Sequence, residues 1–136
     1  MTDEYSKHHT ALESFVGSLT PLNLDSLVHS VSKPFDISTE YSTTMPNNEF
    51  AGAYLFFSES MDLLYVGKSS LLGKRMNCHF HYSSNPNVGT PVTKESEGTR
   101  YIITIGLREE YAWLAPALEE FLIMRLKPLR NKIGNY

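Results

Sequence analysis

Two adjacent acids near the carboxyl terminus differ in the chemistry open to them. In the stretch predicted as helix from Pro116 to Lys127, projection places Glu119 within an otherwise apolar sector, between Leu122 and Leu126 on one side and Ile123 on the other. Glu120 projects nearer Lys127. A carboxylate on a packed sector needs a cation, a metal or several hydrogen bonds to offset its desolvation, whereas a solvated one needs none. Glu119 is the site candidate of the pair, with a structural salt bridge or a partly buried helix face as the plainer alternative. A second pair, Arg75 and His79, stands four residues apart in a helix expected over Ser70 to His81, so both project on one face. That face also carries Leu71, Leu72 and Tyr82, while Lys74 and His81 lie mainly on the other side. A snorkelling arginine beside a packed histidine is the alternative there.

Basic residues cluster in two acid-free stretches. Leu63 to Tyr82 holds Lys68, Lys74 and Arg75, and Leu122 to Tyr136 holds Arg125, Lys127, Arg130 and Lys132. If the fold brings these stretches together, a phosphate-binding face can exist on a protein of formal charge -3. The halves differ: seven acids against two lysines leave residues 1–50 at -5, and ten cations against eight acids leave residues 51–136 at +2.

The elements that must position these side chains follow from local pattern. Ala51 to Phe57 and Tyr101 to Leu107 read as strands, and Leu63 to Val66 as a shorter one joined to the first by a polar link. Gly67 would permit a tight exit, and Ser69 or Ser70 would cap the helix that follows. Asn85 to Gly98 is a polar excursion, and Glu109 to Trp113 precedes the last helix, which Pro128 ends. In the first third, Leu12, Val16 and Leu19 form one short helical series and Leu24, Leu27, Val28 and Val31 a second, before a loop-like run from Ser38 to Asn48.

At 136 residues, one domain is expected. The single cysteine, Cys78, excludes an internal disulfide framework, and no apolar stretch of transmembrane length or signal-like start is visible. A soluble intracellular protein, cytoplasmic or nucleoid-associated, is the expectation.

The ordered residues resemble the GIY-YIG nuclease family. The first signature reads Gly52-Ala53-Tyr54 and the second, ten residues on, Tyr65-Val66-Gly67, followed by Lys68. Arg75 and His79 come next, then Glu119, Pro128 and Asn131 in an L-E, P-x-x-N arrangement; the likeness spans about residues 51–133. Ala53 replaces the usual larger aliphatic residue.

The resemblance implies an α/β fold, a small domain with a central three-stranded antiparallel sheet flanked by helices, over residues 51–136. Residues 1–50 would be a helical or loop-rich extension able to meet a protein partner. The implied activity is divalent-metal-dependent hydrolysis of DNA phosphodiester bonds. Glu119 would bind magnesium or another divalent ion such as manganese. Tyr54 would take a proton from water, aided by His79, or orient the water while the proton leaves another way. Tyr65 would position water or phosphate, and Arg75 would stabilise charge on the phosphoryl oxygens. Lys68, Lys74, Arg125 and Arg130 would contact the substrate, with Gly52, Gly67 and Asn131 as support. A nucleic-acid-binding module without cleavage, or a structural interaction domain, are the other readings. Oligomeric state and the particular DNA cleaved are left open.

Overall fold

The apolar run from Ala51 to Phe57 has no polar face to show to solvent, which suits a strand covered on both sides. In a computed structural model of the protein it forms an interior strand, β3 (Gly52–Phe57), buried at nearly every position. Residues 23–131 are described, together with Thr10, Ala11, Glu13 and Gly17. The helical series at Leu12, Val16 and Leu19 lies outside them.

Two antiparallel neighbours flank β3. On one side β4 (Leu63–Ser69) sets Gly67 opposite Tyr54 and Tyr65 opposite Phe56, with a bulge before Phe57. On the other, β7 (Tyr101–Leu107) sets Gly106 opposite Gly52 and Tyr101 opposite Phe57.

The sheet is not three-stranded, which corrects the expected architecture. β1 (Val28–Val31) and β2 (Phe35–Asp36) both pair antiparallel with β7, so the main sheet has five strands. A separate two-stranded sheet joins β5 (Phe80–Tyr82) to β6 (Gly89–Pro91). The physical reason is that β7 would otherwise present a row of unpaired backbone groups, and residues 28–36 satisfy that row in two short pieces separated by Pro34. Only Leu24–Leu27 of the second apolar series makes a helical turn; the β-branched Val28 and Val31 go with the sheet.

Asn47 fastens β1 to β7. Its backbone is left-handed, with φ of 61°, a conformation Asn tolerates better than most residues. Its Oδ1 accepts from Ser30 Oγ at 2.7 Å, and its Nδ2 donates to the Ser30 carbonyl and to Thr104 Oγ1, each at 3.2 Å. Gly106 leaves the room, because a Cβ there would run into the Asn47 side chain. Arg100 holds β2 by bridging Asp36 and Glu59 at 3.3 and 2.9 Å.

One helix covers each face of the sheet. Leu72 and Met76 of α1 (Leu72–His79), with Phe80, pack on Tyr54, Phe56, Leu64 and Ile102. Ile123 of α2 (Ala115–Leu126) packs on Leu55 and Val66 across the other face. Ser69 does not cap α1: its Oγ accepts from Leu71 N–H at 3.0 Å and donates to the Leu71 carbonyl at 2.8 Å, forming a turn just before the helix. A 3-10 turn, Glu109–Leu114, leads into α2, and Lys127 ends it in the left-handed conformation. No helix among the described residues is long and apolar enough to cross a membrane.

Replacing Asn47 by Ala is expected to lower the unfolding free energy by about 2 kcal/mol, because partners on Ser30 and Thr104 lose their bonds and Ala resists the left-handed backbone. Asn47→Gly, which keeps that backbone accessible, should cost less. Urea denaturation measures both, and a parent-like Asn47→Ala variant would exclude the clasp.

Candidate active site

Tyr54 and Tyr65 reach one pocket because β3 and β4 hold them on the face covered by α1. The last residue of α1, His79, meets them there. Tyr54 Oη lies 3.0 Å from His79 Nε2, both residues being buried. Ring centroids are 6.2 Å apart for Tyr54 and Tyr65, 6.4 Å for Tyr65 and His79, and 5.1 Å for Phe56 and His79. Gly67 is not an exit turn but an interior position of β4. A Cβ there would collide with the phenol of Tyr54, so glycine is what allows the ring to lie flat over the neighbouring strand. Gly52 answers a similar demand, since a Cβ there would strike the Ile105 carbonyl of β7.

Burial sets the protonation of this pocket. It raises the Tyr54 phenol far above the ordinary tyrosine value, with Tyr65, Glu119 and Glu95 adding to the rise and Arg75 opposing it. Tyr65 is raised for the same reason, again with Glu119 and Glu95 adding and Arg75 opposing. His79 is lowered, first by burial; Glu95 works against that and Arg75 with it. The pocket therefore favours neutral phenols beside a neutral imidazole.

Glu119 is partly buried while Glu120 is exposed, as the helical projection expects. Burial raises the Glu119 carboxyl, Lys68 and Arg75 pull it down, and Glu120 pushes it up. Arg75 of α1 and Glu119 of α2 thus act by charge on both tyrosines, and Lys68 of β4 acts on Glu119. Among the described residues no three His, Cys, Asp or Glu side chains converge as a metal cluster.

The remaining candidates fall in different places. Asn131 grips the outer edge of β4: its Oδ1 accepts from Val66 N–H at 2.8 Å and its Nδ2 donates to the Val66 carbonyl at 3.0 Å. Arg130 turns inward, donating to the Glu95 carbonyl at 3.1 Å. Arg125 is exposed, its guanidinium 5.7 Å from the Phe121 ring centre. Lys74 lies away from the tyrosines, lining a groove of about 590 Å³ with Tyr41, Asn77 and Tyr82.

Three residues of the polar excursion join the site without having been singled out. Thr93 Oγ1 is 2.7 Å from His79 Nδ1, Ser96 is fully buried behind it, and Glu95 acts on the pocket by charge. The one local signal was the spacing of Thr93 and Ser96, hydroxyls three residues apart that bond each other's backbone.

Gly67→Ala should destabilise the fold by about 1–3 kcal/mol through overpacking against Tyr54. Thermal unfolding reads the loss, and parent-like stability would mean the ring has spare room. Asn131→Ala should cost a similar 1–3 kcal/mol, since the Val66 backbone groups are left unmatched. Loss of amide-exchange protection at Val66 would locate that effect, and unchanged protection would contradict it.

No family model matches the chain. It is similar to the UvrABC system protein C of Mycoplasma mycoides subsp. mycoides SC, with 32% identity over 91 residues. That alignment takes in 67% of this chain but spans only 14% of the length of that relative.

Proposed function

We propose that this chain is a divalent-metal-dependent endonuclease that hydrolyses phosphodiester bonds of DNA. The observation that carries the reading is the contact of Tyr54 Oη with His79 Nε2, 3.0 Å apart in a buried aromatic pocket on which Arg75 and Glu119 act by charge. The order of these residues, similar to that of GIY-YIG nucleases, supports the same chemistry.

Phosphodiester hydrolysis requires a water relieved of a proton and compensation for charge gathering on the phosphoryl oxygens. Tyr54 is held protonated by burial, so it does not wait as a phenolate. In this reading its Oη accepts the proton of the attacking water as its own proton passes to Nε2 of His79. Tyr65 orients the water or the phosphate. Arg75 neutralises the phosphoryl oxygens, and the exposed Lys68 binds the phosphate beside them. Lys74 and Arg125 are free to meet phosphates farther along the strand; Arg130 is held by the Glu95 carbonyl. Gly52, Gly67 and Asn131 set the two tyrosine-bearing strands.

Glu119 would hold the ion. Magnesium keeps several waters and takes one or two carboxylates together with substrate phosphates, so a single partly buried carboxylate fits it, and manganese accepts the same oxygen donors. When bound, the ion supplies electrostatic stabilisation of the developing charge.

Nicking of supercoiled plasmid in magnesium tests the reading. The parent should cut, chelation should stop it, and Glu119→Gln and Arg75→Ala should each slow cutting by about a hundredfold or more. Parent-rate cutting by Glu119→Gln would remove Glu119 as the ion's ligand. Tight DNA binding without cutting, across duplex, nicked, flapped and branched substrates, would make the chain a binding module instead.

A further inference from the structure

Behind His79 lies a set of hydrogen bonds whose polarity can be assigned by elimination. Ser96 Oγ lies 3.0 Å from the His79 backbone carbonyl and 3.2 Å from that of Thr93. Carbonyls only accept, so the one hydroxyl proton of Ser96 is committed to them. Toward its other neighbours Ser96 Oγ must accept, and these are Thr93 N–H at 3.1 Å and Thr93 Oγ1 at 2.8 Å. The Thr93 hydroxyl proton is thereby committed to Ser96. What remains on Thr93 Oγ1 are lone pairs, which face Ser96 N–H at 3.2 Å and His79 Nδ1 at 2.7 Å. An acceptor opposite Nδ1 requires the ring proton to sit on Nδ1. In the neutral ring Nε2 then carries the lone pair that faces Tyr54 Oη.

We propose that Thr93 and Ser96 are positioning residues that fix His79 as the Nδ1–H tautomer, so that Nε2 stays open to accept the Tyr54 proton. The tautomer rests on the hydrogen-bond directions alone; its use in catalysis rests on the endonuclease reading above. Burial among Tyr54, Phe56 and Phe80, with Arg75 near, keeps the ring neutral against the pull of Glu95. The loop that carries the two hydroxyls is itself anchored, by Val92 N–H on the His79 carbonyl at 2.8 Å and by Arg130 on the Glu95 carbonyl.

Long-range proton–nitrogen NMR of the full chain, labelled with ¹⁵N-histidine and observed where the ring is neutral, reads the tautomer directly. The parent should show His79 protonated on Nδ1 with a bare Nε2. Thr93→Val should lose that preference and slow plasmid nicking by roughly tenfold or more, whereas Thr93→Ser should restore both. Should Thr93→Val fail to fold, Ser96→Ala offers a second route: it frees the Thr93 proton to face Nδ1 and should drive the ring toward Nε2–H. A parent ring protonated on Nε2, or a tautomer indifferent to Thr93→Val and Ser96→Ala, would overturn the proposal. A hydroxyl-dependent Nδ1–H ring in a protein that cuts no DNA would uphold the tautomer and remove only the endonuclease reading.

Discussion

Tyr54 must lie across the adjacent strand while its hydroxyl reaches a helix packed on the same face, and both conditions are met because position 67 has no Cβ. Several consequences follow from that contact. A phenol buried this deeply needs a partner for its hydroxyl, which obliges His79 to be within reach at the end of α1. An imidazole buried beside it needs a partner for its second nitrogen, which obliges Thr93 to fold back from a loop, and Thr93 in turn needs Ser96. A polar network in an apolar pocket is costly when one member is left unmatched, so each of these positions constrains the next.

The charged side of the pocket is assembled differently. Lys68, Arg75 and Glu119 come from a strand and two helices on opposite faces of the sheet, and both cations lower the Glu119 carboxyl. Here the fold supplies proximity without close hydrogen bonding.

Much of this was visible in the residues themselves. The unbroken apolar run at β3 is legible because burial on two faces erases alternation, β7 is legible from its β-branched residues, and the contrast between Glu119 and Glu120 is legible from projection on one helix. Lys74 and Arg75, adjacent in sequence, were already separable onto different sides of α1. What escaped depends on partners distant along the chain. Val28–Val31 is too short to declare itself a strand and is held by Asn47, whose role depends on Thr104. Thr93 and Ser96 sit in a polar stretch with no period, and only the approach of His79 gives them a function. Gly67 reads locally as the tight exit of a short strand, since a local reading cannot see a ring arriving from the facing strand.

The segment after α2 has a consequence for how molecules meet. β4 is the outermost strand of the main sheet, and a bare outer strand is a template for pairing with a strand from another chain. Leu129 and Arg130 donate to the Leu63 and Leu64 carbonyls at 3.2 and 2.9 Å, and Asn131 occupies both backbone groups of Val66. The chain thus blunts its own edge at the strand that carries Tyr65 and Gly67. Any intermolecular β-addition there would have to peel away the same three residues, so aggregation through this edge and distortion of the tyrosine pocket would begin as one event.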